Sequence, residues 1–303
     1  MCSKLCTTLH RARSLCLNGQ LYKSSIIDLS KFTRLRQLSL VDFTSQTFRG
    51  LNTLTQLHEL TLRGGFPEII DYCRFPELDM LHIHYGDGVD DDCLSVLFHQ
   101  LSTITFLTIE LNYERSSLSQ LTILQRLETL RIFRDYIDPE QFQYLNCLPL
   151  LTRLEFRYFN CTTKHIESLP TLTTLQIFRL GSFDSGNVSN SEDGLKCIAD
   201  SFTNLKSLSY YPVPVLPDNI TQLRRLEYLA FLEFGPTNSI TILSTLPNLT
   251  YLTTLLAEEQ WEQLTALTQL KILRCFNADE NTMSFPHLKI IDLSDEKFPV
   301  GML

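Results

Sequence analysis

Aligned against itself, the chain shows one nine-position pattern from end to end, h-x-x-L-x-x-L-x-h, where h is apolar and x mostly polar. Thirteen segments between Leu9 and Leu293 fit it, among them LHRARSLCL, FTRLRQLSL, LTQLHELTL, LQRLETLRI, LPLLTRLEF, LPTLTTLQI (Leu169 to Ile177), FTNLKSLSY and FPHLKIIDL. The closing L-x-h alternates with the two-residue period of a half-buried strand, so each segment predicts one short strand. In this frame the third hydrophobic position is Leu in twelve segments, with Ile291 the exception, and Leu15, Leu38, Leu60, Leu130 and their equivalents are expected inside. The second positions advance mostly by 21 to 26 residues; the longest step, 33, runs from Leu172 to Leu205. That long step holds SFDSGNVSNSEDG (Ser182 to Gly194), whose Ser, Gly, Asn and Asp content predicts a mobile loop.

Between the strands the period changes. Leu94, Leu97, Phe98 and Leu101 keep helical spacing, as do Leu195, Ile198, Ala199 and Phe202. Asp138-Pro139-Glu140 reads as a helix start, with Asp as cap and Pro in the first turn. Glu258-Glu259 places acid at the start of a helix through Trp261 and Leu264, where the helix dipole favours it.

The recurring L-x-x-L-x-L resembles the strand half of the leucine-rich repeat, and the resemblance covers nearly the whole chain. GVDDDCLSVLFHQL and NSEDGLKCIADSF resemble the helical half of ribonuclease-inhibitor-type and F-box-associated repeats, although no F-box module fits before Arg11. The resemblance implies an α/β solenoid: a single domain over residues 1–303, a horseshoe with a concave parallel sheet and a convex side part helical and part irregular. One feature departs from the family. Asn or Cys usually follows each strand, but here the column reads Gln20, Phe43, Gly65, Gly86, Asn112, Asp135, Phe159, Leu180, Val213, Phe234, Ala257, Ala278 and Glu296. Only Asn112 and Asp135 suit the role, so the turns are expected to vary between repeats. Neither end shows a polar cap: either Cys2 to Leu9 serves as one, or the chain is the repeat half of something longer.

Composition narrows the function. A net charge of −8 argues against a protein built to coat nucleic acid or anionic lipid. Nine cysteines, odd in number and without a CxxC pair, are expected to be reduced and mostly buried. With no apolar leader-like run in Met1 to Leu21, they point to the cytosol or nucleus. Sequons at Asn160, Asn187, Asn219 and Asn248 then read as accidents of a Thr- and Asn-rich repeat. No stretch is apolar enough for a membrane span.

Catalytic motifs are missing: there is no phosphate-cradling Gly loop, no GxSxG and no HExxH. His82 and His84 share one strand face, with Glu59 or Glu110 as conceivable third ligands, but they read as exposed polar residues. Cys147 or Cys161 with His165 reads as packing, not as a thiol–imidazole pair. No enzyme activity, cofactor, metal or small-molecule substrate is expected.

The surface with chemistry is the concave face, formed by the x positions. Across the four repeats starting at Leu127, Leu151, Leu172 and Leu205 it carries six basic positions, Lys206 among them, against two acidic ones, Glu128 and Glu155. Arg131, Phe133, Arg134, Arg153, Arg157, Tyr158, Phe178, Arg179 and Tyr211 are the predicted partner-binding residues, because Arg and aromatics dominate protein hot spots. Two functions fit. One is a scaffold gripping a partner protein, in a specific version as a substrate-recognition subunit. The alternative is an RNA-binding solenoid that uses the same Arg and aromatic groups.

Overall fold

The computed structural model describes residues 11–21, 27–42, 48–64, 75–84, 91–110, 117–134, 137–157, 163–169, 172–181, 191–210, 216–233, 238–256, 261–276, 285 and 287–292. The chain folds as two compact units, residues 1–134 with 147–151, and residues 135–146 with 152–303.

In unit one, six parallel strands follow one another in sequence order: β1 (Ser14–Asn18), β3 (Gln37–Val41), β5 (Glu59–Arg63), β6 (Met80–His84), β7 (Phe106–Glu110) and β8 (Thr129–Phe133). Their register stacks the third hydrophobic positions, Leu15, Leu38, Leu60, Leu81, Leu107 and Leu130, into one ladder. Two residues on, Leu17, Leu40, Leu62, Ile83, Ile109 and Ile132 form a second. From Leu38 onward both ladders are almost completely buried, and each such side chain contributes roughly 1.5–3 kcal/mol. Leu15 differs from expectation: it is only half-buried, because among the described strands β1 has a neighbour on one side alone. The back of this unit carries a feature the sequence did not announce, a two-stranded parallel ribbon of β2 (Ile27–Asp28) and β4 (Phe48–Arg49). Gly50 follows at φ 77°, against the Ser30 backbone, where a Cβ could not fit.

The returns between strands are tighter than ordinary helices. Helix α1 (Asp91–Gln100) buries Leu94, Leu97 and Phe98, as the helical spacing predicts. Elsewhere in the unit the chain turns in 3-10 segments, Leu51–Thr53 and Leu118–Ile123, whose apolar residues recur every third position. Threonine hydroxyls close these turns, Thr53 onto the Gly50 carbonyl at 2.6 Å and Thr122 onto Ser119 at 2.7 Å.

Unit two holds seven further parallel strands, so each of the thirteen repeats contributes one: β9 (Arg153–Arg157), β10 (Ile177–Gly181), β11 (Ser207–Tyr210), β12 (Tyr228–Glu233), β13 (Tyr251–Leu255), β14 (Ile272–Phe276) and β15 (Lys289–Asp292). Helices α2 (Thr163–Glu167), α3 (Ser191–Ser201) and α4 (Asn238–Ser244), with 3-10 turns Asp218–Gln222 and Glu262–Ala266, form its returns. The helix expected from Glu258-Glu259 is the second of these turns, with Trp261 at its N-cap; the two glutamates lie outside the described residues. The start at Asp138-Pro139 likewise opens a 3-10 segment, Pro139–Cys147.

The repeat frame needs correcting in two strands. In β10 it is Phe178, not Leu175, that stands opposite Leu154 and Leu208, and Leu180, not Ile177, opposite Phe156. Phe178 is fully buried, while Ile177 and Arg179 alternate to the open face. Ile166, Leu169, Leu172, Leu175 and Phe178 are all spaced by three, so a 3-10 return and the strand entry present the same period and two frames fit equally. Packing chooses. Phe178 closes a run of rings in which Phe142 stacks on Phe156 at 5.0 Å, Phe156 meets Phe178 edge-on at 6.3 Å, and Phe178 meets Phe202 at 5.9 Å. At the last strand the register also departs, since Ile290 rather than Ile291 stands opposite Leu273.

Two further expectations change. Residues 191–194 of the Ser182–Gly194 loop form the first turn of α3; the remainder lies outside the described residues. A Cβ at Gly194 would crowd the Tyr210 hydroxyl, so any larger residue there would require that ring to shift. Of the cysteines described, all are free thiols, but they are not mostly buried: Cys16, Cys93 and Cys147 are exposed, Cys197 is half-buried, and only Cys275 is in the core.

The missing asparagine ladder is replaced at the entries to the strands. Asn204 donates to the Thr173 carbonyl at 2.8 Å, Asn248 to Arg224 at 2.7 Å, and Gln269 to Leu243 and Leu246 at 3.2 and 3.1 Å. Asn146 donates to Ser168 at 2.9 Å and, in unit one, Gln125 to Cys147 at 3.2 Å. Amide side chains thus stitch neighbouring repeats where the backbone leaves its turn, satisfying carbonyls that the strands do not use.

Candidate functional surface

The alternation that buries one face of each strand leaves three rows of side chains on the other. In unit two, β9 sends Arg153, Glu155 and Arg157 to this open face, and β10 adds Arg179 directly opposite Glu155. Glu155 is the unusual member: its side chain is 2% exposed although it stands on the outer face. It is covered by its partners. Arg153 donates through Nε to Glu155 Oε1 at 2.6 Å and approaches it again through Nη2 at 2.5 Å, while Arg179 Nη1 lies 3.7 Å away. A buried carboxylate is tolerable only with such pairing, and in return it holds two long guanidinium groups in place. With Arg157 the group carries more cations than anions, in a chain whose total charge is −8.

In unit one the open face has a different character. Glu59 accepts from Gln37 at 2.8 Å and lies 3.6 Å from His82; His84 donates through Nδ1 to Glu110 at 3.0 Å. The Arg131 guanidinium sits 5.0 Å from the centre of the Phe106 ring, a cation–π arrangement, and His82 leans on the same ring at 5.3 Å. Phe133 is half-buried, 6.5 Å from His84.

The predicted partner-binding residues therefore divide. Arg131 and Phe133 lie on the open face of unit one, and Arg153, Arg157 and Arg179 on that of unit two. Arg134 does not belong with them: it is 8% exposed, following β8 into the unit instead of standing on its face. Phe178 is core, for the reason of register given above. Tyr158 and Tyr211 lie outside the described residues. Sequence reasoning missed Tyr228, Tyr251 and Arg274, which occupy outer positions of β12, β13 and β14. Their signal was present, since all three fall at x positions of the motif, but the window of four repeats ended before them.

The other candidates for chemistry are structural. His165 is buried and donates through Nε2 to the Ile137 carbonyl at 2.7 Å, with its ring against Phe142. Cys197 has its thiol pushed up by burial and by nearby Glu167 and Asp200, which makes it a poor nucleophile. Among the described residues no group of three or more His, Cys, Asp or Glu is arranged to hold a metal, and no helix is long and apolar enough to cross a membrane.

His82 yields a pH test. Burial holds its pKa below the ordinary value of 6.5, with His84 and Arg131 acting in the same direction and the Glu59 carboxylate opposing them. A histidine that resists protonation when folded leaves the unfolded chain binding more protons, so stability rises with pH. Unit one should melt at its highest temperature above pH ~6.5 and lose stability as pH falls through that value, levelling off below the folded pKa. Thermal melts across pH should show a smaller acid loss for His82→Gln than for the wild type; an identical pH profile for the two proteins would refute the assignment.

No protein-family model and no curated protein sequence matches the chain. Solved structures do align with it. An internalin (inlF) of Listeria monocytogenes aligns over 82% of this chain and 71% of its own, at 17% identity and TM-score 0.41. A leucine-rich-repeat protein of Leptospira interrogans aligns over 96% and 98%, at 16% identity and TM-score 0.37. TLR13, in its complex with ssRNA13, aligns over 83% of this chain at 16% identity and TM-score 0.48, but the chain spans only 44% of its length. Likeness at that level adds no argument to what the molecule itself shows. Thirteen repeats of the apolar pattern, each laid down as one parallel strand with helical or 3-10 returns between, give this chain the fold of a leucine-rich-repeat α/β solenoid.

Proposed function

We propose that the chain is a non-catalytic scaffold that binds a partner protein on the open face of its sheet, in a specific version as a substrate-recognition subunit. The observation that supports this is the Arg153–Glu155–Arg179 group with Arg157 beside it: guanidinium groups pre-set on rigid strands, by a buried carboxylate, in a chain of opposite net charge. Fixed Arg forks recognise carboxylates with little ordering cost, which is how few residues come to dominate an interface. Arg131 and Phe133 offer the same chemistry on unit one.

Arg157→Ala is the cleanest probe, because Arg153 and Arg179 also hold Glu155. With the full chain as bait in cell lysate, a nuclease-resistant protein partner should be captured by wild type and by Arg49→Ala, whose site lies on the back ribbon. Arg157→Ala should weaken its binding about 30-fold, the equivalent of ~2 kcal/mol, with melting unchanged. Loss of the captured partner on nuclease treatment would favour the RNA reading. Retention by Arg157→Ala with loss by Arg49→Ala would place the site on the other face.

A further inference from the structure

The open face of unit two carries a second arrangement, five strands wide. Register links Arg179 to Ser209, Ser209 to Ala230, Ala230 to Thr253, and Thr253 to Arg274, so one row runs Arg, Ser, Ala, Thr, Arg across β10 to β14. The row beside it reads Ile177, Ser207, Tyr228, Tyr251, Ile272. The three small residues between the arginines are buried, although they occupy outer positions. Their size lets the neighbouring rings lie down over the sheet: Tyr228 reaches to within 3.5 Å of Thr253 Oγ1, and its ring sits 4.8 Å from that of Tyr251 at an interplanar angle of 36°. Both tyrosines are half-buried and so keep part of each ring towards solvent. The result is an aromatic platform with a guanidinium at each end. Arg179 supplies a further reason to expect a ligand: its Nε is buried and makes no hydrogen bond among the described residues, a state that costs stability until an acceptor arrives.

We propose that this platform binds an extended segment of a partner protein, laid across the strands, with an apolar or proline-rich middle on Tyr228 and Tyr251 and one acidic side chain on each of Arg179 and Arg274. This rests on the scaffold reading above and deepens it by naming the segment's chemistry. Four strand spacings of roughly 4.8 Å separate the arginines by about 19 Å. An extended chain covers that in about six residues at ~3.3 Å each, so the acidic residues should stand about six positions apart. Aromatic surfaces take proline-rich or extended apolar peptide with little entropic loss. A nucleic acid strand fits less well. It carries a charge about every 3.4 Å, whereas the row between the arginines holds no cation, and the neighbouring entry positions Lys206 and Lys271 are interrupted by Glu227.

The test is selection from a displayed library of random peptides, about twice as long as that spacing, on the full chain. Enriched peptides should share two acidic residues about six positions apart around an apolar or proline-containing middle. Each should bind at least about tenfold more weakly to Arg179→Gln and to Arg274→Gln, with melting unchanged for Arg274→Gln, which leaves the Glu155 pairing intact, and Arg274→Glu should favour peptides with Lys at one end. Selection of no peptide, of peptides without the acidic pair, or of peptides indifferent to Arg274 would overturn the proposal. So would displacement of the selected peptides by oligouridylate at stoichiometric concentration. If a captured partner loses affinity for Arg157→Ala but not for Arg274→Gln, the platform assignment fails and the scaffold reading stands.

Discussion

Phe178→Ala should cost unit two about 3–5 kcal/mol, while Ile177→Ala beside it costs no more than ~1. Phe178 is fully buried between Phe156 and Phe202, so truncation removes both ring contacts and leaves a cavity among side chains that strands on either side hold in place. Ile177 is one residue away and half-buried on the open face. The chain's single tryptophan, Trp261, lies buried in the same unit, so its fluorescence reports the unfolding directly. Urea titration of both variants reads the two costs. The opposite order, with Ile177→Ala the more damaging, would restore the frame in which Leu175 and Ile177 point inward.

The second large effect belongs to unit one. Leu130 is fully buried, stacked in register on Leu107 with Ile132 two residues further along β8. Leu130→Asp places a carboxyl in the leucine ladder, next to Leu107 and with Ile132 two residues along. It must either ionise without a partner or stay protonated at a raised pKa, and each costs several kcal/mol, on the order of a whole domain's stability. Far-UV circular dichroism should show unit one melting far earlier or not folding. Arg126→Asp, at an exposed position before the strand, should leave melting within about 0.5 kcal/mol of wild type. An unchanged melt for Leu130→Asp is incompatible with the leucine ladder.

These two sites mark how far the pattern of residues could be read. Around Leu130 one frame fits: LETLRIF offers a single L-x-h alternation, and its neighbours agree. Around Phe178 the run from Ile166 is spaced by three throughout, and LQI and FRL both end it plausibly. The error there carried into the candidate surface, moving Phe178 outside. Arg134 was misplaced because both positions after Ile132 were counted on the open face, whereas strict alternation from Leu130 and Ile132 turns Arg134 inward. Arg131 was legible because it falls between two unambiguous apolar positions, Leu130 and Ile132, and Arg153 because it directly precedes the inward Leu154. The pairing of Arg153 and Arg179 on Glu155 was not, because it depends on which residue of β10 stands beside Glu155, and the misread frame put Gln176 there.

Local periodicity is enough to set one strand per repeat, the inward leucines and the helices at Asp91–Gln100 and Ser191–Ser201, because those follow from the geometry of a single segment. Register between repeats is different. A frame shift of three residues leaves the apolar content of a three-periodic return unchanged, so only the fit of Phe178 into the stacked rings of its neighbours selects the one that forms. The same holds for the surface: which arginine meets Glu155, and which small residues lie beneath Tyr228 and Tyr251, are facts about adjacent strands. They are decided when the strands pack.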